Sequence, residues 1–197
     1  MKMPDRYRLI NRRLACVNSR FEVFFDTIEQ PDGSTVEDFL VVQPRVRHGG
    51  DIAGICVLPE IDGRIGLMRG YRHFVETEVW QAPAGFVEPG ETPEDAALRE
   101  LSEEAALSCK AANLVSLGIL LPDAGLIAAS VALFVAQQAK PIGRPERHPE
   151  IGAGELALFA RDELTQLIMT SGQIGGSTLV ACFRYLMLSQ QKETPSL

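Results

Sequence analysis

Twenty-three residues, Gly85 to Leu107, constrain this chain more than any others: GFVEPGETPEDAALRELSEEAAL. Pro89-Gly90 signals a turn. Thr92 can offer its hydroxyl to a free backbone N–H, Pro93 suits the first helical position, and Glu94 and Asp95 suit the positive end of a helix dipole. A loop feeding a helix over about Pro93 to Ala106 is therefore predicted. On that helix Leu98, Leu101 and Ala105 share one face, and Glu100, Glu103 and Glu104 share another. Like charges at that spacing repel. A divalent cation turns the cost into a binding site, and carboxylates without Cys or His beside them suit a hard ion such as Mg²⁺ or Mn²⁺.

An acidic run alone reads as a solvated helix face. Here it comes with a Gly-Glu turn, an Arg-Glu pair and a capped helix at fixed offsets. The stretch resembles the signature of the Nudix hydrolase family, with Gly85, Glu91, Arg99-Glu100, Glu103-Glu104 and Leu107 at the fixed positions. Ala106 stands where the family usually has the Gly that closes the helix, so modest strain is expected there.

Upstream, DIAGICVLPEIDGRIGLMRGYR reads as strand, turn at Asp62-Gly63, strand. Tyr71-Arg72 and Trp80-Gln81-Ala82-Pro83-Ala84-Gly85 resemble the corresponding stretches of the family's ADP-ribose pyrophosphatase branch, with Gln81 in place of a usual Glu. Pro122 lies 15 residues past Leu107, an offset that also resembles this branch, although Asp123-Ala124-Gly125 departs from its following Gly. Trp80 alone reads as a core aromatic. With the resemblance, Arg72, whose planar fork of donors suits a diphosphate, Trp80 and Pro122 become candidate substrate contacts.

Residues 1–48 read as an appendage: a mixed, basic Tyr7 to Val17, a strand over Phe21 to Ile28, a turn at Pro31-Asp32-Gly33 and a strand over Val36 to Val42. Two strands bury little alone and need the main domain, residues 49–197, or another subunit. Past the helix, strands are expected over Leu114 to Leu121, Ile127 to Ala136 and Glu155 to Ala160. Helices are expected over Arg161 to Thr170 and from Thr178 to about Gln191. Between them runs a long loop, Gln137 to Gly154, rich in Pro, Gly and charge, carrying Glu146, His148 and Glu150, with Glu155 at its edge.

A net charge of −7 argues against nucleic acid or an anionic membrane as partner and makes an anionic substrate depend on cations. Cys16, Cys56, Cys109 and Cys182 are scattered without metal or redox spacing and read as reduced thiols of a cytoplasmic protein. No apolar run is long enough to span a membrane.

The resemblance implies an α/β/α sandwich around a mixed sheet, with an N-terminal antiparallel β appendage. It implies Mg²⁺ (or Mn²⁺) held by Glu100 and Glu104, with Glu103 assisting and the Ala84 carbonyl as a further ligand. It also implies a loop carboxylate, Glu150 before Glu155 or Glu146, as general base. Arg99, grouped with the catalytic residues, is expected to pair with a neighbouring carboxylate, Glu91, rather than with substrate. The substrate expected is a small nucleoside diphosphate sugar, best ADP-ribose giving AMP and ribose 5-phosphate, with GDP-mannose as the alternative. A homodimer is expected. A second reading is a sensor that binds such a ligand without turnover.

Overall fold

The computed structural model describes residues 6–46, 52–143 and 154–193. It begins with a three-stranded antiparallel sheet, β1 (Arg8–Val17), β2 (Phe21–Glu29) and β3 (Thr35–Pro44), in that order. The two strands expected after Phe21 are present, and β1 is an addition. Its apolar residues do not alternate because the register against β2 shifts twice, between Leu9 and Asn11 and between Leu14 and Cys16. Each bulge reverses the phase of the side chains, so a period-2 pattern is lost from the sequence.

The main body holds β4 (Ile52–Ile61), β5 (Arg64–Arg72), β6 (Thr77–Gln81), β7 (Ala84–Phe86), α1 (Pro93–Ala105), β8 (Leu107–Ser108), β9 (Leu114–Leu120) and β10 (Ser130–Ala136). It continues with β11 (Lys140–Pro141), β12 (Leu156–Phe159), α2 (Arg161–Thr170) and α3 (Gly176–Glu193). Seven strands form one sheet in the order β12-β5-β4-β10-β9, with β6 beside β5 and β7 beside β4. The β4–β10 pair is parallel and the other pairs are antiparallel. β8 and β11 make a separate short pair.

Strand alternation sorts the core into two layers. Cys56, Leu58, Leu133 and Val135 face Leu164 and Ile168 of α2 and Ala181, Cys182 and Leu186 of α3. Ile55, Val57, Ala132 and Phe134 face Ala96, Ala97 and Leu101 of α1. The expected α/β/α sandwich around a mixed sheet is what forms. Among the described residues, no helix is long and apolar enough to cross a membrane.

The N-terminal sheet meets this body through backbone. Val42 N–H donates to Leu126 O at 2.8 Å, and Ala128 N–H donates to Val42 O at 2.9 Å. Strand β3 thus pairs with the loop that follows Pro122. The outer strand β1 is exposed along its whole length, with Leu9, Leu14 and Val17 all more than half exposed.

Candidate active site

The site is built where β7 passes under α1. In the β4–β7 ladder, Pro83 O accepts from Val57 N–H and Val87 N–H donates to Ala53 O. Backbone groups of alternate residues point the opposite way along such a strand. Accordingly Ala84 N–H donates to a Glu104 carboxylate oxygen at 2.8 Å, and Phe86 O accepts from Arg99 Nη2 at 3.0 Å. The Ala84 carbonyl shares the side of its own N–H, toward α1.

The helix forms as its residues dictate. Thr92 caps it, its hydroxyl accepting from Asp95 N–H at 3.1 Å, and Pro93 opens it. Its far end closes on Ala106, held left-handed at φ 52°, ψ 41°, the conformation that favours glycine. The strain anticipated from the sequence therefore sits in a defined place.

Arg99 is the hub. Its Nε and Nη2 donate to the two oxygens of Glu91 at 2.9 and 3.0 Å. Its Nη1 donates to Glu100 at 2.7 Å and to Glu103 at 3.3 Å. The fork of a guanidinium makes such a bidentate pair specific in direction. Hydrogen bonds from Arg99 hold the Glu91 carboxyl below its usual range, and those to Glu91 raise the guanidinium above its own. Glu91 in turn accepts from Glu88 N–H at 2.9 Å, which ties the Pro89-Gly90 turn to the same array. Arg99 thus faces carboxylates and a carbonyl, in keeping with the pairing expected.

Gly85 explains itself here. A Cβ built on it would stand 1.9 Å from Glu100 Oε1, so only glycine lets that carboxylate lie against β7. Glu100 is 8% exposed, an expensive place for a carboxylate without the Arg99 contact.

Among the described residues, no three His, Cys, Asp or Glu side chains are grouped so as to hold a metal ion as they stand. Arg99 draws Glu100 and Glu103 toward its guanidinium, and Ala84 N–H draws Glu104. The donor chemistry still fits a hard cation: three carboxylates on one helix face beside a backbone carbonyl. The nearby Cys56 is fully buried, its thiol pushed up to about 12 by burial, and offers no thiolate.

A cavity of about 280 Å³ adjoins this array. Ala84, Gly85 and Phe86 form one wall, Pro122 and Ile127 another, and Phe21 with Pro44 brings in the N-terminal sheet. Among the described residues, no charged side chain lines it. Pro122 therefore stands with Ala84 and Gly85. Trp80 and Arg72 are not among its walls. The Trp80 ring meets Phe159 edge-on at 5.1 Å in the α2–α3 core layer, and Arg72 donates to the Gln81 side chain. Glu146, His148 and Glu150 lie outside the described residues. Glu155 is exposed, beside Gly154, whose Cα lies against the Arg69 carbonyl with no room for a Cβ.

Sequence reasoning missed the Phe86 carbonyl as a partner of Arg99 and the Phe21–Pro44 wall. Neither carries a local signal, because backbone direction and docking between distant segments decide both.

Comparison with known proteins points to one family. The model of the NUDIX domain matches residues 50–169. The chain is 31% identical over 157 residues to the ADP-ribose pyrophosphatase of Mycobacterium tuberculosis (strain ATCC 25618 / H37Rv), covering 77% of this chain and 72% of that relative. It is 25% identical over 169 residues to the ADP-ribose pyrophosphatase of Bacillus subtilis (strain 168), 86% of each. A solved ADP compounds hydrolase shares the fold at a TM-score of 0.80 and 18% identity, over 98% of this chain and 99% of that one.

Proposed function

The chain belongs to the Nudix hydrolase family as an ADP-ribose-pyrophosphatase-like pyrophosphohydrolase, and from that premise we propose that it hydrolyses the diphosphate linkage of a nucleoside diphosphate sugar, ADP-ribose before GDP-mannose. The observation that carries the reading is the Arg99 hub, which gathers Glu91, Glu100 and Glu103 beside the backbone of β7 and next to an uncharged cavity.

The division of labour follows from chemistry. Glu100, Glu103, Glu104 and the Ala84 carbonyl would hold a divalent cation, Mg²⁺ or Mn²⁺. When bound, such an ion neutralises phosphate charge and makes water a better nucleophile. Arg99 positions the carboxylates and does not touch substrate, since Nε, Nη1 and Nη2 all have protein acceptors. The cavity takes an uncharged part of the ligand and excludes water from it; Pro122 and Phe86 supply apolar walls. Arg72 and Trp80 contribute, on this reading, where a longer ligand or a second subunit reaches β6. Glu150 accepts the proton of the attacking water. Residues 1–48 serve as a dimerisation unit, and the enzyme works in the cytoplasm.

The test is phosphate-coupled turnover of ADP-ribose, GDP-mannose, UDP-glucose and NADH with Mg²⁺ or Mn²⁺, and with EDTA. Metal-dependent cleavage of one preferred member, ADP-ribose, is expected. Ligand-induced thermal stabilisation without cleavage of any member would replace the enzyme by a sensor.

A further inference from the structure

The N-terminal sheet lies outside the matched NUDIX residues, yet it reaches the Arg99 hub through contacts on Phe86. The turn between β1 and β2 is built on Asn18. Its Oδ1 accepts from both Arg20 N–H and Phe21 N–H at 2.8 Å, and its own N–H donates to Phe21 O at 2.9 Å. Arg20 O also accepts from Arg45 N–H at 3.0 Å. Both flanks of Arg20 are therefore fixed by backbone bonds, and its side chain leaves the turn in a set direction.

That direction leads to Phe86. The Arg20 guanidinium stands 5.2 Å from the centre of the Phe86 ring, a cation–π distance, and the Phe21 ring meets Phe86 edge-on at 5.6 Å. Two contacts from one turn thus hold a single aromatic residue. Phe86 is the end of β7, and its carbonyl accepts from Arg99 Nη2. The same guanidinium holds Glu100 and Glu103.

We propose that Arg20 is a positioning residue for the catalytic carboxylates, acting through Phe86 and Arg99. This rests on the pyrophosphohydrolase reading. Arg20 does not line the cavity beside Ala84 and Gly85, so it does not touch the uncharged part of a ligand bound there. Its cation fixes the Phe86 ring, the ring fixes the strand end, and the strand end fixes the direction in which Arg99 presents Glu100. Phe21 assists and lines the cavity as well, which makes it the poorer probe.

The test compares wild type with Arg20→Gln, Arg20→Lys and Asn18→Ala, using kinetics and substrate-free Mn²⁺ titration by calorimetry. Arg20→Gln is expected to lower kcat about fivefold with KM within twofold, since an exposed cation–π contact is worth under about one factor of ten. It is also expected to weaken Mn²⁺ binding by a similar factor. Arg20→Lys keeps a cation over the ring and is expected to restore both. Asn18→Ala is expected to show the Gln pattern at smaller size. A rise in KM alone would make Arg20 a substrate contact, and Lys as impaired as Gln, or no change in Mn²⁺ binding, would overturn the relay. If wild type turns over no substrate, the pyrophosphohydrolase reading fails, and the Mn²⁺ titration still decides the relay.

Discussion

The two ends of this molecule are satisfied in different ways. At the candidate active site the described charged groups have partners within the chain: Arg99 meets Glu91, Glu100, Glu103 and a carbonyl, and Glu104 meets Ala84 N–H. At the other end, β1 lies exposed with Leu9, Leu14 and Val17 facing outward. Its ion pairs Arg8 with Glu29 and Arg13 with Asp38 are surface contacts of little weight, whereas Arg12 reaches a buried carboxylate, Asp26, at 2.7 Å. The contrast separates two kinds of specification. Charge geometry specifies the site from within. On the mixed strand β1 the exposed Leu9, Leu14 and Val17 are the part a second copy of the sheet would cover, in the dimer proposed above.

The sharpest way to break the contrast is Gly85→Ala. The new Cβ collides with Glu100 Oε1, so Glu100 must move by more than an ångström. Turnover is expected to fall by about 100-fold or more, while circular dichroism and molecular mass stay unchanged. A variant with near-normal kcat would show that the Gly85–Glu100 contact does not set the site.

Leu14→Glu tests the opposite end. In a two-fold interface the charge enters twice, so dimerisation is expected to weaken by about 100-fold or more. Light scattering should then report a monomer where wild type gives a dimer. A wild-type monomer would remove the dimer from the proposal.

Glu91→Gln probes how far the hub stabilises the fold. The Glu91 carboxyl is held low by Arg99, so its stabilisation is present above the unfolded carboxylate range and is lost as pH falls through the lower folded value. At pH 7 the variant should lose about 1–2 kcal/mol, read by urea denaturation. The gap to wild type should close below pH ~4. A gap that persists in acid would assign it to packing.

Ala106→Gly is the smallest effect. A left-handed alanine costs about 1–2 kcal/mol, and glycine's extra freedom when unfolded gives back about 0.5–1 of that. A rise in Tm of about 2 °C is expected. No rise would mean the helix end already relaxes around Ala106.

These cases also mark what was legible in the chain. Helix α1 was, from Thr92 to Ala106, because caps and periodicity are local signals. The Glu91–Arg99 pair followed from the same stretch. Strand β1 was not, because two bulges erase its alternation. The cavity was only half legible. Pro122 could be singled out, but Phe21, Pro44 and Ile127 join it only because Val42 bonds across to Leu126 and Ala128. A contact between segments some eighty residues apart has no signature in either segment.

If the α1 carboxylates carry metal-dependent hydrolysis, Glu104→Gln removes it. Glu104 is half-buried and bonded to Ala84 N–H, an acceptor role that Gln keeps. The expected result is unchanged thermal unfolding with Mg²⁺-dependent turnover of the preferred substrate abolished. Near-normal turnover in a folded Glu104→Gln protein would contradict the assignment of the metal site to this helix.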